Sequence, residues 1–167
     1  MKKRALAGMV LLLLGGWLLL RDAAAPRGDT VESREAILRN ERQIQWEIRT
    51  ERELEEHLLC GITAGQRAGI AVFAPADDGY ELLSRRWVER PDAIVIDHAV
   101  IGGTWYDLIW FSGAQTEYAE LAYSQPGKAT EIRRADTADG QVVYSEMPAG
   151  DYSLEVRYFD AQGNEYE

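Results

Sequence analysis

The strongest constraint on the fold is an alternation of side chains near the C-terminus. In "YSLEVRYFD" every second side chain is apolar or aromatic, and polar side chains fill the positions between them. Because successive side chains of a strand point to opposite faces of a sheet, this spacing predicts a half-buried antiparallel strand. After it, "AQGN" predicts a turn at Gly163, with a short and frayed return strand. The core face of the predicted strand consists of Tyr152, Leu154, Val156 and Tyr158.

Turn residues divide the preceding chain into further short strands. Asp78-Gly79 lies between "AGIAVFA" and "YELLSRRW" and predicts a β-hairpin. Asp139-Gly140 predicts a second turn between two strand-like runs. From about residue 100 such turns recur every 8–12 residues, which is typical of a sandwich or small barrel. We therefore expect a mainly β domain of antiparallel hairpins over residues 59–167, sandwich-like toward its C-terminus.

Residues 30–58 predict a charged helical segment with one ambiguity. "TVESREAILRN" has cap residues and an apolar cluster that favour a helix. "RQIQWEIRT" (residues 42–50) instead alternates with the period of a strand, and "ERELEEHLL" after it is again rich in helix formers. One long helix over residues 31–58 and a helix–strand–helix arrangement both remain open.

The first 29 residues predict a membrane anchor and a linker. Lys2, Lys3 and Arg4 precede an uncharged apolar run over residues 5–20. Sixteen helical residues span roughly 24 Å, and flanking basic side chains can extend this toward the bilayer's ~30 Å hydrocarbon core. We expect a signal anchor that forms a transmembrane helix, followed by the linker "DAAAPRGD". The alternative is a signal peptide cleaved after "AAA" at residues 23–25.

The charge distribution predicts the orientation of the anchor. Three basic residues precede the apolar run, while the basic residues just after it are accompanied by aspartates. By the positive-inside rule the N-terminus is cytoplasmic and the C-terminal domain extracytoplasmic in a single-pass cell-membrane protein. If the signal is cleaved, the domain is secreted instead.

Composition excludes several classes of protein. The formal net charge of −10 argues against a nucleic-acid partner, because a phosphate backbone requires a basic surface. The single cysteine, Cys60, permits neither an internal disulfide nor a cysteine-rich metal site. No phosphate-cradling glycine loop is present, so we expect no cofactor.

The sequence offers few candidates for catalysis. His57 and His98 are the two histidines, and Asp97 adjoins the second. Adjacent residues of a strand point to opposite faces, so Asp97 and His98 would not form a base and its orienting carboxylate. "ADDG" and "DTADG" are typical of hairpin turns and lack the alternating ligand spacing of a calcium loop. We therefore predict no catalytic, cofactor-binding or metal-binding residues.

One aromatic segment, "GGTWYDLIWFSG", is a candidate interaction surface for a glycan or a protein. Its rings come in two neighbouring pairs, so each pair sends one ring to either face of a strand. Rings exposed on the surface would bind a ligand, whereas the alternative is packing in the core. The four candidates are Trp105, Tyr106, Trp110 and Phe111.

Two resemblances concern architecture. "MPAGDYSLEVRYFDAQGNE" resembles the closing strands of bacterial immunoglobulin-like and fibronectin-like modules, through its "GDY" and its "DAQGN" turn. That resemblance implies a tyrosine-corner position for Tyr152. The order of parts, from N-terminal anchor and charged helix to "GGTWYDLIWFSG" and a sandwich-like end, resembles small uncharacterised membrane-anchored envelope proteins of spore-forming, Firmicutes-type bacteria. It implies location and architecture and supplies no chemistry.

These observations predict a non-enzymatic binding, sensing or assembly module of the bacterial cell envelope. One alternative is an envelope enzyme with carboxylate chemistry, such as glycan hydrolysis. Another is an accessory subunit of an envelope or secretion complex. A concave pocket that aligns two acids or His98 would favour the enzyme, and an aromatic or edge-strand surface without those groups would favour the binding module.

Overall fold

The computed structural model describes residues 26–40, 44–90, 94–113, 116–137 and 140–166. The predicted anchor and its alternative cleavage site, within residues 1–25, lie outside them. In the described part of the chain, no helix has the length and apolar content that a membrane span requires. The elements found there are helix α1, Val31–Asn40, and ten strands: β1 Glu47–Leu54, β2 His57–Ala64, β3 Arg67–Ala76, β4 Gly79–Val88, β5 Ile94–Ile101, β6 Thr104–Phe111, β7 Tyr118–Ser124, β8 Glu131–Asp136, β9 Val143–Glu146 and β10 Ser153–Phe159.

The strands form three antiparallel sheets, which confirms the prediction of a mainly β fold. Sheet A is a meander with the order β1-β2-β3-β4. Sheet B has the order β5-β6-β9, and sheet C has the order β10-β7-β8. The chain leaves sheet B after β6 for sheet C, and returns to sheet B for β9.

Sheet B is the middle layer of the fold. On β6, Leu108 and Trp110 pack with residues of sheet A, whereas Ile109 between them packs with residues of sheet C. The outer face of sheet A is covered by α1, whose Leu38 is fully buried beside Trp46. Because both faces of sheet B are covered, the middle of β6 is buried at every position from 107 to 110. Such continuous burial is the property of a doubly covered strand.

Of the two arrangements left open for residues 30–58, the single long helix is wrong, whereas the helix–strand–helix arrangement is correct in having a helix followed by a strand and wrong in its second helix. The helix ends at Asn40, and residues 47–54 and 57–64 are strands β1 and β2. A turn at Glu55 and Glu56 joins them, with left-handed φ angles of 48° and 65°. The glutamates of "ERELEEHLL" favour a helix, but the hydrogen-bonded ladder between β1 and β2 outweighs that weak propensity.

The C-terminal strand prediction is confirmed. Tyr158 is buried, and Leu154 and Val156 pack beside it in the core between sheets B and C. The return strand is reduced to one bridge, between Phe159 and Glu165.

The two predicted aspartate–glycine turns connect strands in different ways. The predicted hairpin at Asp78 is present, with the turn at residues 77–78 and Gly79 already opposite Ala76. At the second turn the N–H of Gly140, whose φ is 64°, donates to the carbonyl of Thr137 at 2.8 Å, and Asp139 lies outside the described residues. The strands before and after this turn, β8 and β9, belong to sheets C and B and do not pair with each other.

Candidate functional site

The structure separates the four predicted aromatic residues. Tyr106 and Trp110 face sheet A, where Trp110 is buried and donates from Nε1 to the carbonyl of Gly140 at 3.1 Å. Phe111 faces sheet C and packs against Tyr158. Trp105 lies at the start of β6 and is 57% exposed. The four rings therefore form no common surface, and Trp105 alone of them is an exposed ring.

Trp105 lines an open groove of about 550 Å³ at one end of sheets B and C. One wall is the turn between β5 and β6, and the other is the connection from β9 to β10. Tyr152, at the base of β10, provides a second aromatic side chain. The residues that line the groove are Gly103, Thr104, Trp105, Glu146, Met147, Pro148, Ala149, Gly150 and Tyr152.

An exposed apolar pair continues the surface beside the groove. Val100 of β5 lies directly opposite Trp105 of β6 in the sheet register. Both side chains are on the face of sheet B that is turned toward sheet C, and Val100 is 43% exposed. His98, two residues before Val100 on the same face, is half-exposed. The groove and this pair together present a Trp, a Tyr and a Met, residue types enriched in interface cores, beside small apolar side chains.

Beneath this surface lies a fully buried carboxylate, that of Asp107. Its Oδ2 accepts a hydrogen bond from the hydroxyl of Tyr123 at 2.9 Å. Its Oδ1 accepts one from the hydroxyl of Tyr152 at 2.8 Å and lies 2.8 Å from Nδ1 of His98. A buried carboxylate needs such partners, because an unsatisfied charge in the core is strongly unfavourable. The Asp107 network thus fixes the positions of Tyr152 in the groove and of His98 on the rim.

A second ring of polar contacts surrounds Tyr123. The guanidinium of Arg133 lies over the Tyr123 ring, 4.6 Å from its centroid, and donates to Oγ of the buried Ser145 at 2.7 Å. Arg133 is also paired with Glu131. Sheets B and C are therefore joined by polar contacts at the groove end and by apolar packing further along.

The tyrosine hydroxyls of the network resist ionisation. Burial, followed by the hydrogen bond to Asp107 and the charge of that group, raises the pKa of Tyr123 from 10.0 to about 12. The same three causes raise the pKa of Tyr152. Each hydroxyl must stay protonated in order to donate to Asp107, so the network is intact only below the pH at which these groups lose their protons.

These shifts predict a loss of stability at alkaline pH. In the unfolded chain Tyr123 loses its proton near pH 10, whereas in the folded protein it does so near pH 12. The folded state then binds more protons than the unfolded state, so the free energy of unfolding falls as the pH rises from 10 toward 12. Urea unfolding of the wild type at several pH values across this range measures the slope. Tyr123→Phe should reduce the slope, and an equal slope in both proteins would contradict the assignment.

The Asp107–His98 pair has the arrangement of a base and its orienting carboxylate. The pair uses Nδ1 of His98, and the side chain of His98 is half-exposed. Asp97, the carboxylate adjacent in sequence, takes no part, in agreement with the predicted opposite orientation. Sequence reasoning missed Asp107, although a lone aspartate within the apolar run of "TWYDLIWF" is a sign of a buried polar group.

The remaining candidates give little chemistry. Cys60 is buried beside Glu51, and burial raises the pKa of its thiol, which keeps it unreactive. Among the residues that the structure describes, no group of three histidine, cysteine or acidic side chains is placed to hold a metal ion.

Comparisons of the chain with protein-family models, with curated proteins and with solved structures give no match.

Proposed function

We propose that this chain is a membrane-anchored binding module of the bacterial cell envelope, with a non-enzymatic extracytoplasmic domain. The observation that carries the proposal is the open groove walled by Trp105 and Tyr152, continued by the exposed Val100. Exposed apolar and aromatic side chains that adjoin one another along a concave groove are typical of ligand-binding and protein-binding sites. The basic, apolar N-terminus and the resemblance to anchored envelope proteins of Firmicutes-type bacteria support the location.

The structure of the site favours binding over hydrolysis. Glycan hydrolysis takes two carboxyl groups that face each other across the substrate. Of the residues that line the groove, Glu146 alone carries a carboxyl group. Asp107, the nearest other acid in the network, is fully buried and engaged by three donors. A ligand in the groove would contact aromatic rings, backbone groups and a single carboxylate, that of Glu146.

Site-specific photocrosslinking tests the proposed function. A photoreactive amino acid at Val100 leaves Trp105 in place and should yield a discrete adduct when the full chain is irradiated in its native envelope. The same amino acid at Gln66, exposed in the turn between β2 and β3, is the matched control and should yield none. Trp105→Ala should reduce the Val100 adduct about tenfold.

Two outcomes would refute the binding site. One is an equal adduct from residues 66 and 100, and the other is an adduct at residue 100 that Trp105→Ala leaves unchanged. The size and composition of the adduct separate a protein ligand from a glycan.

One observation favours the runner-up, an envelope enzyme, namely the half-exposed His98 held by Asp107. In that case His98→Gln would abolish turnover of an envelope substrate and leave the Val100 adduct in place. In a binding module, His98→Gln would change neither the processing of envelope glycans nor their composition in cells.

A further inference from the structure

The turns of the fold show which end of the domain is joined to the N-terminal segment. In an antiparallel meander, successive hairpin turns lie at alternate ends of the sheet. The β1–β2 turn at Glu55 and Glu56 and the β3–β4 turn at residues 77–78 are the first and third turns of sheet A. They therefore lie at one end, and the β2–β3 turn at Gln66 lies at the other.

The chain joins the domain at that first end. The backbone N–H of Tyr80 donates to the carbonyl of Arg27 at 2.8 Å, beside the β3–β4 turn. Gly28 is packed so closely on the Tyr80 carbonyl that an added Cβ would lie 2.2 Å from its oxygen. Arg34 donates to the carbonyl of Gly28 at 2.6 Å. Residues 27 and 28 are thus fixed to the tip of the hairpin.

The groove lies at the same end. A Cβ added to Gly102 in the β5–β6 turn would meet the carboxylate of Glu55 at 1.7 Å, so that turn lies against the Glu55 side chain of the β1–β2 turn. Gly103, the next residue, lines the groove. The β1–β2, β3–β4 and β5–β6 turns and the groove therefore share one end of the domain.

The short segment between the proposed anchor and Arg27 limits how far this end of the domain can lie from the bilayer. Six residues lie between Leu20, the last residue of the apolar run, and Arg27. The seven steps from Leu20 to Arg27 extend at most about 25 Å. The opposite end, at Gln66, is further away by the length of a strand of eight to ten residues, roughly 30 Å. The groove end is therefore the end nearest the bilayer.

The charges near the groove indicate which class of ligand it binds. Glu146 lines the groove, and four further exposed acids lie at turns of the same end: Glu55, Glu56, Asp77 and Asp78. Arg27 is an exposed base beside the β3–β4 turn, so acids outnumber it among these residues. Arg133 donates to the backbone carbonyl of Glu146 and is paired with the carboxylate of Glu131. An acidic end of the domain repels anionic lipid headgroups and attracts a basic chain. The exposed Trp105 in the groove and Val100 beside it suit apolar side chains.

We propose that the groove opens toward the membrane and binds a basic, apolar segment of a partner protein immediately outside the bilayer; this inference rests on the proposed anchor and binding function. It identifies the partner by position and chemistry, as a protein segment with lysine or arginine beside apolar residues. Trp105 and Val100 contact the apolar side chains of that segment, and Glu146 contacts its cations.

The orientation is tested with the full chain in a bilayer. A nitroxide is attached at Glu56→Cys or at Gln66→Cys, two exposed turn positions at opposite ends of sheet A; the buried Cys60 does not compete for the label. A nickel chelate tethered to lipid headgroups should relax the label at residue 56 several times more strongly than the label at residue 66. Equal relaxation, or the reverse order, would overturn the inference.

The chemistry is tested with two synthetic peptides of equal length, one of lysine and leucine and one of glutamate and leucine. The full chain in a neutral bilayer should bind the basic peptide, and Trp105→Ala should weaken that binding about tenfold. Glu146→Gln should weaken it and reduce its dependence on salt. Equal binding of both peptides, or displacement of the basic peptide by anionic lipid in the same bilayer, would overturn the inference. An adduct at Val100 together with equal nitroxide relaxation would retain the binding function and discard the orientation.

Discussion

Replacing Asp107 by alanine is expected to lower the free energy of unfolding by about 3–5 kcal/mol, the loss typical of a broken buried charge network. The carboxylate is fully buried and accepts from the hydroxyls of Tyr123 and Tyr152. Its removal leaves two buried hydroxyls and Nδ1 of His98 without their acceptor, and it also creates a cavity between sheets B and C. Urea unfolding of the full chain in detergent, followed by tryptophan fluorescence, measures the loss.

Two variants calibrate that measurement. Asp97→Ala removes a half-buried carboxylate from the other face of β5 and should lower the free energy of unfolding by less than about 1 kcal/mol. Tyr152→Phe removes one hydrogen-bond donor and keeps the ring, so it should lower the free energy of unfolding by about 1 kcal/mol. If Asp107→Ala were as mild as Asp97→Ala, the network would contribute nothing to the stability of the groove.

The sequence predicts β10 well because only one face of that strand is buried. When one face is buried, apolar and polar side chains alternate along the strand. This alternation runs from Tyr152 to Tyr158 and can be recognised without knowing which strands lie beside it. Strand β6 is different, since sheet B is covered on both faces and its middle residues are buried regardless of parity. The pattern of "TWYDLIWF" therefore predicts a strand but cannot show which aromatic rings are exposed.

The exposure of Trp105 follows from its position along the strand. Trp105 and Phe111 point to the same face of sheet B, yet Phe111 packs against Tyr158 and Trp105 extends into the groove. The two side chains differ in exposure because sheet C covers Phe111 and does not extend over Trp105. How far sheet C covers β6 depends on the packing of sheet C on sheet B, which involves segments distant in sequence. No local pattern contains that information.

The partners of Asp107 cannot be predicted from the sequence for a similar reason. Strands β5 and β6 form a hairpin, and the register of that hairpin places His98 opposite Asp107. The two tyrosines come from β7 and from the residue before β10, in another sheet. The aspartate in an apolar run is a sign that a buried partner exists, but the identity of the partner depends on the packing of sheet B on sheet C.

Local propensity was misleading in "ERELEEHLL". The glutamates of β1 lie on an edge strand of sheet A, where many of the side chains remain in contact with water and cost little. The decisive interaction is the backbone ladder with β2, a strand whose four central residues are all buried. A weak helical preference of about 0.5 kcal/mol per residue or less does not compete with that pairing.

Replacing Arg34 by methionine is expected to lower the free energy of unfolding by about 3 kcal/mol, although the residue lies in a short surface helix. Arg34 is 5% exposed. Its Nε and Nη2 donate to Oε1 and Oε2 of Glu51 at 2.8 and 2.9 Å, and its Nη1 donates to the carbonyl of Gly28. Methionine fills a similar volume but leaves a part-buried carboxylate and a buried carbonyl without donors.

Three further variants separate the geometry of Arg34 from its charge. Arg34→Lys keeps the charge but not the planar fork, so it should recover only part of the stability. Adding Glu51→Gln to Arg34→Met should restore part of it as well, because the stranded charge is then removed. Arg49→Ala, which breaks an exposed pair with Glu47 on the same sheet edge, should change the free energy of unfolding by less than about 0.5 kcal/mol.

The Arg34 variants also connect stability with orientation, because this side chain holds Gly28 against the helix. Loss of its bond to the Gly28 carbonyl leaves only the Tyr80–Arg27 and Ser33–Gly28 hydrogen bonds described at this junction, so the domain should tumble more freely on its proposed tether. In Arg34→Met, under conditions where the domain stays folded, the nickel relaxation at residue 56 should approach that at residue 66, and faster hydrogen exchange of the Gly28 amide should accompany it. Unchanged relaxation at both positions would show that the linker, and not this arginine, sets the orientation of the groove.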